Sequence, residues 1–526
     1  MTTAIGSPID QLGVVRHLLC AHPYEHVTSG IALVETHISW VILTGTYAYK
    51  IKKELTLEFL DFSTLERRRH FCEEELRLNR QWAPQIYLDV VPISLDEDGV
   101  HVGDDSNVVE YALKMMQFTP GQRLDLQLED GRVSVDDIRE LAVTVADFHD
   151  RIPRVDYLDE QTAFELVRSP MVENFPYVRQ VLDDASVNRI EYWSAKHLER
   201  LRPVLVARQR DGYVRECHGD LHLANLARLK SGIVPFDCIE FNPALRNIDV
   251  ISDFAFLAMD LVYRDRRDLA YTLINRYLER SGDYGGMQLF GLYFVYHCMI
   301  RAKVAAIRHS ERTTASERQR DFDEVRLHCE VALDWIDKPR PLLTAMHGYS
   351  GSGKTWASSR LLQALPAIRL RSDVERKRLF GLGETESSGA GFGEGVYTEQ
   401  STRAVYERLF ELAGKLLDWG YNVILDATFL AREARALALS VATATGVPFV
   451  LAHTEARSAI VSSRVKRRAI IANVVSEADA EVLAHQQEVG DKLTATELER
   501  TARIRTDGRV DWDHVLDEIT MVAHRA

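Results

Sequence analysis

This sequence lacks the patterns that are typical of secreted proteins, membrane-spanning proteins and zinc-binding domains. Its six cysteines include no CxxC pair, which argues against a zinc site or a disulfide framework and predicts a reducing, cytoplasmic location. The first residues lack the basic and then apolar pattern of a signal peptide. The apolar run at 254–263 is too short to cross a bilayer and contains Asp260, so we expect no membrane contact.

Basic residues are outnumbered by acidic residues. The chain has 64 Lys and Arg residues against 78 Asp and Glu residues, a net charge of −14. Such a chain repels phosphate backbones overall, which argues against broad coating of nucleic acid but leaves room for a local basic groove. At about 100–200 residues per domain, the 526 residues predict two to four domains.

The pattern of apolar residues differs between parts of the chain and predicts different secondary structure in each. Residues 25–118 predict a mostly β lobe with one prominent helix, and residues 119–336 predict a helical lobe. A charged stretch with two prolines, 337–341, predicts a linker. Strands and helices alternate after it, which predicts a parallel sheet with helices on both faces. The predicted domains are an α+β domain over 1–336 and an α/β domain over 342–526.

A phosphate-binding loop is predicted at Gly348–Thr355, because GYSGSGKT matches G-x4-G-K-[ST] in full. Glycines let backbone N–H groups turn toward phosphates, and the helix that follows adds partial positive charge. Lys354 is expected to reach the β- and γ-phosphates, and the Thr355 hydroxyl to bind Mg²⁺. The predicted cofactors are ATP and Mg²⁺, and the predicted loop contacts are Gly348, Ser350, Gly351, Ser352, Gly353, Lys354 and Thr355.

Two carboxylates follow neighbouring strands of this predicted sheet. Asp426 ends the apolar strand at 423–426, where a second magnesium-organising acid is expected; the alternative is an Asp that caps a strand end. Asp373 follows the strand at 367–370, and its alternative role is the N-cap of the next helix.

Residues 340–510 resemble the small P-loop kinases of the gluconate kinase, polynucleotide kinase and zeta-toxin kind. The resemblance implies that Asp373 faces the acceptor hydroxyl and acts as the base. It also implies a lid helix whose arginines close over ATP, and SSRVKRRA offers Arg464, Arg467 and Arg468. For each of these arginines the alternative is a solvated basic face.

A second motif lies in the N-terminal part. His218-Gly219-Asp220 is followed by Asn225, then by an apolar strand that ends at Asp237. This spacing fits the protein-kinase arrangement H-x-D-x4-N followed by a metal-binding Asp. Glu240 could assist this site or could be an exposed loop acid.

With glycine in the middle of its H-G-D, the region 25–335 resembles the aminoglycoside phosphotransferase family. The resemblance implies that Asp220 accepts or orients the proton of the acceptor hydroxyl, and that Asn225 and Asp237 hold Mg²⁺. It further requires a strand lysine for the phosphates and a helix glutamate to hold that lysine. Lys50 is the candidate lysine, with Lys52 as the alternative, and Glu75 is the candidate glutamate, with Glu73 and Glu74 as alternatives.

The same resemblance places other parts of the site. Residues 115–118 would meet the adenine, and Asp253 would anchor the catalytic loop. One expected part is missing, because residues 34–38 between the first two strands contain no glycine-rich phosphate loop. Efficient ATP turnover at this site is therefore the weaker expectation.

As a whole, the chain resembles bacterial two-domain proteins that join these two kinds of domain. The predicted function is that of a bifunctional ATP-dependent phosphotransferase acting on hydroxyls of small molecules, such as a sugar, an aminoglycoside or a nucleoside. One alternative is that the C-terminal domain is a polynucleotide 5′-hydroxyl kinase with a basic channel near Asp373. Another is that one domain binds nucleotide only as a regulatory module.

Overall fold

The computed structural model of the chain describes residues 10–57, 60–156, 158–384, 386, 395–468 and 480–525, without the side chains of Arg468 and Ala480. The chain folds into two compact units, neither of which is continuous in sequence. The first unit comprises Met1–Asp137, Phe148–Pro170 and Leu201–Asp260, and the second comprises Ile138–Asp147, Met171–Arg200 and Leu261–Ala526. The domain division at 337–341 remains a prediction.

Strands and helices of the chain up to residue 336 follow the predicted order, first β-rich and then helical. The strands are β1 (Ala32–Glu35), β2 (Ser39–Leu43), β3 (Tyr47–Lys52), β4 (Thr56–Leu57), β5 (Leu60–Asp61), β6 (Tyr87–Leu95), β7 (Val100–Val102), β8 (Val108–Met116), β9 (Val214–Glu216), β10 (Leu226–Leu229), β11 (Gly232–Pro235) and β12 (Asn247–Asp249). The helices are α1 (Gln11–His17), α2 (Leu65–Arg80), α3 (Leu124–Glu129), α4 (Val135–Arg151), α5 (Glu160–Val172), α6 (Phe175–Arg179), α7 (Ala185–Arg210), α8 (Pro243–Arg246), α9 (Val250–Tyr263), α10 (Arg267–Ser281), α11 (Met287–Glu311) and α12 (Ala315–Ile336).

A six-stranded antiparallel sheet organises the first unit, in the order β1-β2-β3-β8-β6-β7. Strand β3, which carries Lys50, lies between β2 and β8 near the centre of the sheet. Strands β2 and β3 pair antiparallel and are joined by a tight turn at Gly45, whose φ is +95°. A Cβ at this position would lie 2.8 Å from the Ser29 carbonyl oxygen, so the turn requires glycine.

Helix α2 packs against this sheet through β6 and β8. It begins after Thr64, whose hydroxyl accepts a hydrogen bond from the Arg67 N–H at 3.3 Å. Its buried residues include Cys72, Glu75 and Leu78, which the helical period places on one face. Glu75 is therefore directed into the core, which selects it from the three neighbouring glutamates.

In the second unit a five-stranded parallel sheet has the order β14-β15-β13-β16-β17. This confirms the predicted α/β fold class of the C-terminal part. The strands are β13 (Leu343–His347), β14 (Ala367–Arg371), β15 (Asn422–Asp426), β16 (Phe449–Glu455) and β17 (Thr501–Arg505), and the helices are α13 (Lys354–Ala364), α14 (Ser372–Leu379), α15 (Glu399–Asp418), α16 (Arg432–Thr445), α17 (Ser458–Arg468), α18 (Ala480–Val489), α19 (Ala495–Leu498) and α20 (Trp512–Arg525).

The parallel strands bring three predicted features to one edge of this sheet. Gly348 follows β13, Ser372 follows β14, and Asp426 ends β15. Arg371 and Asp426 are register partners on adjacent strands. The carboxyl edge of a parallel sheet is where such folds bind ligands, so the fold itself assembles the predicted C-terminal site.

Among the described helices, only Tyr284–Glu311 is long and apolar enough to cross a membrane, and 61% of its most apolar window is buried inside the protein. Such burial is what a core helix shows. The cytoplasmic location predicted from the sequence remains a prediction.

Two histidines face each other at the base of the phosphate-binding loop. His347 of β13 and His453 of β16 are register partners, and their Nδ1 atoms lie 2.7 Å apart. One of these nitrogens must lack a proton to accept from the other. Burial, with the nearby charges of His453, Arg435 and Lys354, lowers the pKa of His347 to about 3. His347 is therefore neutral in the folded chain at neutral pH.

This pair predicts a pH dependence of stability. The unfolded histidine, with a pKa of about 6.5, binds a proton that folded His347 rejects, so stability is lost as pH falls below about 6.5. His347→Gln should remove a slope approaching about 1.4 kcal/mol per pH unit between about pH 4 and pH 6. Hydrogen exchange of the β13 amides in urea measures the effect; an unchanged slope in the variant would contradict it.

Candidate functional site

The first site forms around Asp220 in a loop that follows β9. Asn225 lies in a single 3-10 turn, Leu223–Asn225, and its Nδ2 donates hydrogen bonds to the Asp220 backbone oxygen at 3.0 Å and to Asp220 Oδ2 at 2.8 Å. His222 Nε2 lies 3.3 Å from the same Oδ2. The Asp220 side chain keeps 38% exposure, so its carboxylate is held by the loop yet accessible to solvent.

Asp253 anchors the backbone of this loop. Its carboxylate accepts hydrogen bonds from the N–H groups of His218 at 3.1 Å and Gly219 at 2.9 Å, and from His149 Nε2 at 3.1 Å. Burial raises the pKa of Asp253, but the His149 contact and the backbone donors outweigh it, so the pKa is lowered below its ordinary range. Gly219 has φ +83°, and a Cβ there would lie 2.7 Å from the Leu245 carbonyl.

His218 stays neutral in this loop. Burial lowers its pKa, and its Nε2 lies 3.0 Å from the Phe236 carbonyl oxygen, a distance that suits an Nε2–H donor. The Asp220 N–H then donates to His218 Nδ1 at 3.3 Å. His218 thus links the predicted catalytic loop to the strand segment that leads into Asp237.

The Lys50 ammonium joins the three parts of the predicted phosphate site. It donates to Glu75 Oε1 at 2.7 Å and to Asp237 Oδ1 at 2.6 Å. Burial lowers the pKa of Lys50, but Asp237 and Glu75 outweigh this and hold the pKa well above its usual value. Asp237 adopts a left-handed conformation with φ +66°, and its N–H donates to the Tyr87 hydroxyl at 2.9 Å.

Lys52 occupies the deeper half of the same cluster. Its ammonium donates to Glu75 Oε2 and to Glu240 Oε1, and it is fully buried. Glu240 is 4% exposed, so the alternative of an exposed loop acid is wrong. Burial raises the pKa of Glu240, and Lys52 opposes the rise. Because only Lys50 of the two lysines contacts Asp237, the geometry favours Lys50 as the phosphate lysine.

Glutamates next to Glu75 have other partners. Glu73 pairs with Arg69, and Glu74 pairs with Arg77, along the exposed side of α2. The predicted adenine strand ends beside the same site, since the Phe118 ring lies 5.0 Å from the Phe236 ring. Between β1 and β2 stands a tight turn in which the Thr36 hydroxyl donates to the Ser39 carbonyl, in place of a glycine-rich loop.

The second site is the loop between β13 and α13. Gly351 and Gly353 have φ +82° and +97°, and a Cβ on either would lie within 2.9 Å of a neighbouring atom. Lys354 Nζ donates to the carbonyl oxygens of Gly348 at 3.0 Å and Tyr349 at 2.9 Å. The lysine thus lies across the loop that is predicted to hold the phosphates.

Asp426 and Thr355 form the predicted metal position of this site. Ser358, one turn after Thr355 on α13, donates its hydroxyl to Asp426 Oδ2 at 2.9 Å, and Arg371 Nε lies 4.0 Å from the same oxygen. The donors at both sites are hydroxyl, amide and carboxylate oxygens, which suit a hard ion such as Mg²⁺. The residues present therefore fit the predicted cofactor.

Asp373 lies in the first turn of α14, and the N-cap residue of that helix is Arg371. The alternative role of Asp373 as the N-cap is therefore wrong. Asp373 is half-buried, and within the described part of the chain its carboxylate accepts no hydrogen bond.

Predicted lid residues differ in their contacts. Arg464 on α17 donates to the Gly351 carbonyl at 3.3 Å and to the Thr506 carbonyl at 2.6 Å. Arg467 is exposed, and the Arg468 side chain lies outside the described residues. Gln486 on α18 also contacts the loop and was not predicted: its Oε1 accepts a hydrogen bond from the Ser350 N–H at 2.8 Å.

Comparison with known proteins agrees with the predicted P-loop domain: residues 343–493 match a family model described as AAA domain. The uncharacterized protein Rv2004c of Mycobacterium tuberculosis is 29% identical over 454 residues, which cover 86% of this chain and 88% of that protein. Similar solved structures include a gluconokinase from Sinorhizobium meliloti 1021 (15% identity, 36% of this chain, 97% of that chain, TM-score 0.26). They also include a choline/ethanolamine kinase family protein from Mesorhizobium loti (10% identity, 62% and 94%, TM-score 0.40).

The buried Lys52–Glu240 pair predicts a large loss of stability when one partner is removed. Glu240→Gln leaves the Lys52 charge with one carboxylate instead of two, and we expect the free energy of unfolding to fall by about 3 kcal/mol. Glu35→Gln, which breaks the exposed pair of Lys53 and Glu35, is the matched control and should change it little. Urea denaturation measures both; equal effects would contradict the prediction.

Proposed function

We propose that this protein is a cytoplasmic, ATP-dependent kinase with two phosphotransfer sites, each of which passes the γ-phosphoryl group to a hydroxyl of a small molecule. The observation that carries the proposal is the contact of one ammonium, Lys50, with both Glu75 and Asp237. This contact sets a cation that can hold phosphate oxygens beside a carboxylate that can hold a metal. The phosphate-binding loop before α13 supports the second site.

At the N-terminal site each residue has a defined task. Lys50 holds the α- and β-phosphates, and Glu75 holds Lys50 in place. Asn225 and Asp237 would hold Mg²⁺, which when bound neutralises phosphate charge. Asp220, whose carboxylate is fixed by Asn225 Nδ2 at 2.8 Å, orients the acceptor hydroxyl and accepts its proton. Positioning supplies most of the catalysis, because phosphoryl transfer needs little covalent help.

At the C-terminal site the lysine must change partners. Lys354 leaves the carbonyl oxygens of Gly348 and Tyr349 and turns to the β- and γ-phosphates, which are stronger acceptors. Thr355 and Asp426 would hold Mg²⁺, and Asp373 accepts the acceptor proton. Arg464, already on the Gly351 carbonyl, stands where a lid arginine can stabilise charge on the transferred group.

A small acceptor is favoured over a polynucleotide at this site. A channel for a nucleic-acid backbone needs accessible cations. Arg376 and Lys377 are 7% and 3% exposed and donate to the carbonyls of Val396 and Glu384. Arg378 donates to the carbonyl of Glu279. Arg376 and Lys377 are therefore engaged inside the protein, which supports a small-molecule acceptor.

Labelled ATP and a metabolite extract test the two sites together. Asp220→Asn should lower formation of one set of products by about 10²–10⁴-fold, because a positioned proton acceptor is removed. Lys354→Ala should abolish a different set. Each variant serves as the folded control for the other, and thin-layer separation of labelled products measures both.

If one domain is only a regulatory module, the labelling experiment should give a different result. If the N-terminal domain only reports nucleotide binding, Asp220→Asn will leave every product unchanged. Strong binding of RNA or DNA that weakens steeply with salt would instead support the polynucleotide alternative for the C-terminal domain.

A further inference from the structure

The second unit contains a pocket of about 270 Å³ between α10 and α13. Its wall includes Thr355, the threonine of the phosphate-binding loop. Four arginines also line it, and they come from three separate parts of the chain: Arg139, Arg276, Arg369 and Arg371. Helix α10 thus contributes to a pocket that reaches the P-loop.

One buried carboxylate fixes two of these arginines. Glu279 of α10 accepts from Arg369 Nη2 at 2.7 Å and from Arg371 Nη1 at 3.4 Å. Burial raises the pKa of Glu279, but Arg369 and Arg371 outweigh it and lower the pKa to about 2. The three groups are therefore all charged at neutral pH and rigidly placed.

Two serine hydroxyl groups of α13 contact the guanidinium of Arg369 on the side away from Glu279. Arg369 Nη1 donates to Ser359 Oγ at 2.7 Å and to Ser358 Oγ at 3.1 Å. Ser358 in turn donates to Asp426. The pocket is therefore connected through a continuous hydrogen-bond network to the predicted metal position.

Arginines outnumber carboxylates among the residues that line the pocket. Four guanidinium groups line it against the single carboxylate of Glu279. Arg276 also pairs with Glu384 at 2.6 Å, and Arg371 Nε lies 4.0 Å from Asp426 Oδ2. The other lining groups are mostly polar and include Thr272, Asn275 and Gln363. Forked guanidinium donors in fixed positions suit the oxygens of a phosphate or a carboxylate.

We propose that this pocket binds the anionic group, phosphate or carboxylate, of the molecule that is phosphorylated at the P-loop site. The assignment rests on the proposed phosphotransfer function. Its basis is position: the pocket touches Thr355, and Arg371 leads directly into Ser372 and Asp373, the candidate base. The acceptor of this site is then an anionic metabolite, whereas the acidic net charge of the chain by itself would suit a cationic one.

Binding of inorganic phosphate to the full chain tests the pocket without any turnover. Saturating Mg-ADP fills the P-loop, and equilibrium dialysis then measures labelled phosphate. Arg276→Gln and Arg139→Gln should each weaken phosphate binding by about tenfold or more, because each removes a charged donor. Arg267→Gln, on the same helix but paired with Asp334 at 2.8 Å, is the control and should bind as the unaltered chain does.

Two further measurements locate the bound anion and name its class. Lys354→Ala without nucleotide should retain phosphate binding if the pocket holds it, and should lose it if phosphate sits in the P-loop, which would overturn the proposal. Competition by malonate separates a carboxylate-compatible pocket from one selective for phosphate. Equal phosphate binding by Arg276→Gln, Arg139→Gln and the control would also overturn the proposal.

Separating metabolites by their charge tests whether the acceptor is anionic. A metabolite extract is divided by ion exchange, and each fraction is given labelled ATP. The product that Lys354→Ala abolishes should come from the anionic fraction, and Arg276→Gln should raise its KM about tenfold with kcat retained. A product from the neutral or cationic fraction would overturn the acceptor assignment. Intact phosphate binding with no product in any fraction would contradict the proposed phosphotransfer instead.

Discussion

The N-terminal site depends on one ammonium shared by two carboxylates. Lys50 ties the centre of the sheet to helix α2 through Glu75 and to the segment after β11 through Asp237. A buried charge without a partner is costly, so these three elements must come together for any of them to be stable there. Lys52 and Glu240 repeat the arrangement one layer deeper. The predicted phosphate site is therefore part of the core that holds the lobe together.

The second unit contains a similar buried ion cluster, but there one negative group is shared by two positive groups. There one buried carboxylate, Glu279, is shared by the guanidinium groups of Arg369 and Arg371. It joins helix α10 to the edge strand of the parallel sheet. Asn275, on the same helix, donates to the Ala367 carbonyl at 2.8 Å and accepts from the Arg369 N–H. The edge strand β14, which leads into the candidate base Asp373, is thus covered by a helix, as edge strands in stable proteins often are.

The local sequence was sufficient to predict the motifs, but it was insufficient to predict which distant residues contact them. The loop at Gly348–Thr355, the residues Asp220 and Asn225, and the order of strands around them were predictable because short spacings determine them. The choice of Lys50 over Lys52 was not, because both lie on the buried face of β3 and only the distant Asp237 distinguishes them. Glu279 and Gln486 could not be found at all, since each acts on a segment about a hundred residues or more away in the chain. Strand β17 and helix α20 were also missed.

Two independent transfer sites in one chain would show themselves in the ATP consumption of paired variants. With the P-loop site disabled by Lys354→Ala, extract-dependent consumption should continue. Adding Lys50→Ala should end it, whereas adding Lys53→Ala, which alters a neighbouring lysine that pairs with Glu35 and the Thr36 carbonyl, should not. Consumption that stops with Lys354→Ala alone, or that survives Lys50→Ala in that background, would contradict the account.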